Sequence, residues 1–192
     1  MPWKISRTFY DDDFPAASLN DKITIFEDRI IGWIIEVGQQ VADKIPHSGF
    51  AVLLILASYF EMVAKFRDGY CSENKSKHYF KEGVRRVFPG SGFVDADLTL
   101  MYSELRSGLY HASITGPRVV LSRDFSPPIS IADTSSGCIV QVNPHTLPGA
   151  LQKDFTEYIR ELRNPANSEL RRTFEKRFDW QGSPFRKSSR FA

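Results

Sequence analysis

Apolar residues first recur with a helical period after Ser18-Leu19-Asn20-Asp21, a helix-capping cluster. Ile23, Phe26, Ile30, Ile34, Val37, Val41 and Ile45 follow at spacings of 3, 4, 4, 3, 4 and 4 residues. That spacing predicts one helix with a continuous apolar stripe, ended by Pro46-His47-Ser48-Gly49. Phe50 to Phe66 predicts a second helix, apolar nearly all round and therefore central to a bundle. It is short for a membrane span and is interrupted by Ser58, Glu61 and Lys65, whereas a span needs about 20 clean apolar residues. No membrane partner is expected. A third helix fits Lys75 to Val87, and Pro89-Gly90-Ser91-Gly92 stops it as a plain turn. A fourth runs from about Asp95 to Ser113, with Leu98, Met101, Tyr102, Leu105 and Leu109 on its inner face.

The pattern then changes. Val119-Val120-Leu121-Ser122 and Cys138-Ile139-Val140-Gln141-Val142 read as short strands, and Ile129-Ser130-Ile131 as a third. Helical spacing returns with Leu151, Phe155, Tyr158, Ile159 and Leu162, and a last helix fits Asn167 to Phe178. The expectation is a mainly α fold, a bundle of about five to six helices in one domain, 1–192, with a small β-hairpin inserted at 117–143. Residues 1–18 are expected as a flexible N-terminus that includes the acidic run Asp11-Asp12-Asp13, and 180–192 as a basic tail.

Composition narrows the function classes. The chain has 192 residues, 42% hydrophobic and 25% charged, which suits one soluble domain. Net charge is +2, from 25 basic and 23 acidic residues, which excludes a polyanion-coating tail protein. Fifteen Phe, seven Tyr and three Trp exclude global disorder. Cys71 and Cys138 form no CxxC motif, so neither a zinc knuckle nor a disulfide framework is expected. Met1 to Arg7 carries no apolar leader, and a reducing, cytoplasmic location is the expectation. His47, His78 and His145 lack metal-ligand spacing, so no metal and no cofactor are expected.

The run Tyr102-Ser103-Glu104-Leu105-Arg106-Ser107-Gly108-Leu109-Tyr110-His111 carries the candidate chemistry. Arg106 and His111 stand five positions apart, about 140° around an ideal helix, so they are not stacked neighbours. A loosened helix end, eased by Gly108, would let both tips reach one pocket. Histidine moves a proton near neutral pH, and arginine grips phosphate oxygens through two parallel hydrogen bonds. Together they suit attack on a phosphodiester without a metal. The bland alternative stays open: Arg106 pairing with Glu104, and His111 as a helix C-terminal cation.

This Arg106-x4-His111 motif, at the end of a helix that follows an apolar helical hairpin, resembles the signature of the HEPN superfamily, the higher eukaryote and prokaryote nucleotide-binding domain. The resemblance covers roughly residues 20–165 in helix order. It implies a helical bundle, a homodimer, and in many members a metal-independent endoribonuclease. Arg106 would match the motif arginine and His111 the motif histidine. Ser107 stands where active members commonly carry Asn, Asp or His. Glu61 is the candidate for the acidic residue such proteins often carry on an earlier helix, against the alternative of an i, i+4 pair with Lys65. Ser107, Glu104, Tyr110 and Glu61 form the supporting set. The resemblance further implies that His111 takes the proton of an RNA 2′-hydroxyl while Arg106 stabilises the phosphorane, in a cleft shared by two copies.

From Arg163 to Ala192 there are eight Lys/Arg against three Asp/Glu, with Trp180, Phe185 and Phe191 interleaved. Arg171, Arg172, Lys176 and Arg177 are therefore candidates for tracking an RNA backbone, with a solvated helix face as the alternative. Three function classes emerge: an RNA-cleaving enzyme in a defence or toxin–antitoxin setting; a catalytically silent dimeric module binding nucleotide, RNA or a protein partner such as an antitoxin; and a purely structural homodimer.

Overall fold

The computed structural model describes residues 2–109 and 115–188. Helix α1 (Leu19–Ile30) starts on a capping box, in which the Asp21 amide donates to Ser18 Oγ at 3.2 Å and the Ser18 amide donates to Asp21 Oδ2 at 2.8 Å. The expected long first helix is present but not uniform. It passes through a π-turn, Ile31–Ile35, before continuing as α2 (Glu36–Lys44). Gly32 lies in that wide turn beneath the Arg7 guanidinium, where a Cβ would stand 2.2 Å from Arg7 Nε. Arg7 also pairs with Glu36.

That contact corrects the expectation of a loose segment over residues 1–18. Ile5 and Phe14 are buried, Arg29 Nε donates to the Ile5 carbonyl at 2.5 Å, and the Phe14 ring stacks on Phe178 at 5.7 Å. The acidic run forms a short 3₁₀ turn, Asp11–Ala16, that delivers Phe14 to the core.

Helices α3 (Gly49–Leu56) and α4 (Ser58–Asp68) run on as one 20-residue rod with a single irregular residue, Ala57. Its length and hydropathy would allow it to cross a membrane, a longer apolar element than the sequence reading assigned. Most of it is buried inside the protein instead. Gly69 ends it in the left-handed region at φ 62°, and the Tyr70 amide returns to the Lys65 carbonyl at 3.0 Å. Helix α5 (Ser76–Val87) packs closely on α4 because Gly83 has no side chain: a Cβ there would lie 1.9 Å from the Phe60 carbonyl oxygen.

The fourth helix departs from expectation. Regular α6 (Asp95–Met101) gives way at once to a second π-turn, Tyr102–Ser107. Beyond it the expected hairpin exists as β2 (Ile129–Thr134) and antiparallel β3 (Gly137–Val142), but β1 (Val119–Leu121) joins it in parallel, in the order β1-β3-β2. Helix α7 (Leu147–Arg163) buries Leu151, Phe155, Tyr158 and Leu162. Helix α8 (Ser168–Ser188) continues past the expected end at Phe178, so the first part of the expected tail is helical; residues 189–192 lie outside the described residues. The fold is thus mainly helical with one small sheet. Phe26 sits at the centre of the core, its ring 4.2 Å from Phe66, 5.3 Å from Phe174 and 5.4 Å from Phe155.

Candidate functional site

Two elements far apart in sequence meet at Glu61. Helix α4 carries it into the interior, so its carboxylate must find partners. Oxygen Oε1 accepts from Lys65 Nζ at 2.7 Å, one helical turn along, and from Ser76 Oγ at 2.8 Å, at the start of α5. Oxygen Oε2 receives Arg106 Nη2 at 3.2 Å. Glu61 thus pairs with Lys65, the i, i+4 alternative, and also meets Arg106.

The π-turn explains how Arg106 arrives there. A π-turn closes its hydrogen bonds over five residues, so the turn is wider and the following side chains are rotated relative to a regular helix. Arg106 lies within this turn, and its side chain keeps 22% of its surface exposed while Lys65 behind it keeps 2%. Ser107 follows on the same turn, half-buried. Tyr110 and His111 lie outside the described residues.

Glu61 is a carboxylate under opposing influences. Burial pushes its pKa up, but the hydrogen bonds from Lys65 and Ser76 and the charges of Lys65 and Arg106 outweigh that and hold it below its ordinary value of 4.5. The network extends behind it. Lys65 Nζ reaches Glu73 Oε2 at 3.5 Å, and Glu73 Oε1 receives Arg177 Nη2 at 3.1 Å.

Two groups of expected residues are placed elsewhere. Glu104, buried, faces away from Arg106: its Oε1 receives Arg118 Nη2 at 2.8 Å and Nε at 3.1 Å, while its carbonyl receives the Gly116 amide at 2.9 Å. It is a strut between the π-turn and the sheet. The basic strip on α8 is divided in the same way. Arg177 is 2% exposed and donates to the Tyr70 carbonyl at 2.8 Å, so it braces the loop after α4 and presents nothing to a nucleic acid. Arg171 is engaged with the Leu162 carbonyl and Asn20, and Arg172 with Glu169. Lys176 is exposed.

No family model, curated protein or solved structure matches this chain. Among the described residues, no three His, Cys, Asp or Glu side chains gather as a metal site would require. What the site offers is a guanidinium at the surface, anchored by a buried carboxylate that is itself fixed by a buried lysine and a serine. Such a guanidinium is pre-oriented to grip a phosphate oxygen pair. Glu61 and Arg106 stand out in the sequence, whereas Ser76 and Glu73 sit outside any apolar period and give no signal.

Proposed function

We propose that this chain is a HEPN-like, metal-independent endoribonuclease acting as a homodimer, with Arg106 and His111 as its catalytic pair. The observation that supports it is the 3.2 Å contact between Arg106 and Glu61, which joins the motif arginine to an acidic residue on the earlier apolar helix. In this reading His111 accepts the 2′-hydroxyl proton, the oxygen attacks the adjacent phosphorus, and the 5′-oxygen of the next nucleotide leaves. A 2′,3′-cyclic phosphate remains. Arg106 neutralises the charge on the phosphorane, and Glu61 keeps the guanidinium plane fixed while that charge builds. Ser107, next on the π-turn, supplies a hydroxyl to the same phosphate.

The test is cleavage of total RNA in EDTA, with ends analysed for cyclic phosphate. His111→Ala should lower the rate by about 10²–10⁴-fold and Arg106→Ala by about 10²–10³-fold, both with an unchanged fold. Undiminished cleavage by His111→Ala rejects the reading. The pairing of Arg106 with Glu61 also suits a silent binding module, because the carboxylate offsets part of the arginine's charge. Saturable RNA binding without turnover, weakened by Arg106→Ala, would favour that module.

A further inference from the structure

An open cavity of about 750 Å³, in the range of small-molecule sites, lies where the turn between α2 and α3 meets the end of β1 and the start of α7. It shares no residue with the Glu61–Arg106 site. Lys44, His47, Arg123 and His145 line it, so two of the chain's four histidines and two permanent cations converge there from distant parts of the sequence. One carboxylate is present: Asp43 Oδ1 lies 3.5 Å from His145 Nδ1. That contact engages Nδ1 and leaves Nε2–H to donate to a ligand oxygen. Among the described residues, neither Lys44, His47 nor Arg123 pairs with a carboxylate. Arg123 has one long bond, Nη2 to the Ala42 carbonyl at 3.5 Å.

The wall is built, not incidental. Asn143 is 3% exposed and uses its whole amide to hold it. Its Nδ2 donates to the Arg123 carbonyl at 2.9 Å and the Phe125 carbonyl at 2.8 Å, and its Oδ1 accepts from the His145 amide at 2.9 Å. One buried side chain thereby fixes the backbones of both cavity-lining residues, as a pre-organised binding site requires. Phe50, 42% exposed, and Leu121 add apolar surface to the same space.

We propose that this cavity binds a phosphomonoester with a flat apolar body, such as a nucleoside monophosphate. Arg123, Lys44 and the two histidines hold the phosphate, and the body lies on Phe50 and Leu121. The assignment is independent of the ribonuclease reading.

Isothermal titration with AMP, adenosine and inorganic phosphate tests it, with the histidine ring signals followed by NMR. AMP should bind saturably, moving the His47 and His145 rings and leaving His78 unmoved. Lys44→Ala and Arg123→Gln should each weaken it about tenfold, the loss expected for one charge-assisted bond. Lys44 is exposed, so its removal leaves the fold intact. No AMP binding overturns the proposal, as does AMP binding that Lys44→Ala leaves unchanged. Adenosine binding as tightly as AMP overturns the phosphate assignment, and phosphate binding as tightly as AMP overturns the organic ester. AMP moving only the His111 ring would place the nucleotide at the Arg106 site and overturn the cavity.

Discussion

Two buried lysines, Lys22 and Lys65, each lie between two carboxylates, and they differ in what surrounds the carboxylates. Lys22 on α1 reaches Glu175 Oε1 at 2.7 Å and Asp179 Oδ1 at 2.9 Å on α8. Those partners keep 40% and 34% of their side-chain surface in solvent, so the ties are screened. Lys65 keeps 2%; its partner Glu73 keeps 69%, but Glu61 keeps only 11% and is shared with Arg106. The Lys22 cluster joins two helices, α1 and α8. The Lys65 cluster passes its constraint outward to an arginine that reaches the surface, which is the difference between a clasp and a mount.

Removing each lysine would test that distinction. Lys65→Met leaves Glu61 buried with one hydrogen-bonding cation fewer, and urea unfolding should show a loss of about 3–5 kcal/mol. A loss no larger than that of the Lys22 variant would erase the contrast. Gly83→Ala should come next, at about 1–3 kcal/mol, because the new methyl meets the Phe60 carbonyl and pushes α5, with Ser76, away from Glu61. Lys22→Met should cost about 1 kcal/mol, as befits pairs with exposed partners.

The two clusters should also respond at opposite ends of the pH scale. Burial alone would lower the Lys22 pKa, but the bonds from Glu175 and Asp179 outweigh it and hold it above 10.5. Its stabilisation is full below 10.5 and is lost as pH rises through the raised value. Glu61 is held below 4.5, so its stabilisation is full above 4.5 and is lost as pH falls through the lowered value. Unfolding curves across pH should therefore lose part of their alkaline slope in Lys22→Met and part of their acid slope in Glu61→Gln. An acid limb unchanged by Glu61→Gln would remove Glu61 from the account. Arg172→Ala, which breaks an exposed pair with Glu169, should leave the melting temperature where it was.

The helices were legible because burial of one face writes a period into the sequence. Ile23, Phe26, Val84, Leu98, Phe155 and Leu162 all lie in the core. The two π-turns left no such mark, since Ile31–Ile35 and Tyr102–Ser107 keep a helical composition and widen only in context. The parallel placement of β1 beside β3 was equally hidden: a three-residue strand carries no record of its neighbour's direction. Arg177 misled because a basic cluster on a helix reads as solvated, whereas the turn at Gly69 brings the Tyr70 carbonyl onto its guanidinium.

The sequence by itself determined the helical class, the positions of most helices, the inserted strands, and Glu61 and Arg106 as residues of interest, because periodicity and residue chemistry are local properties. Tertiary structure decided that Glu61 holds Arg106 while Glu104 holds Arg118, that the N-terminal segment packs by way of Arg7 and Phe14, and that His47 and His145 line one cavity. Each of these depends on which elements meet, and a charge in an apolar interior takes the partner that packing delivers.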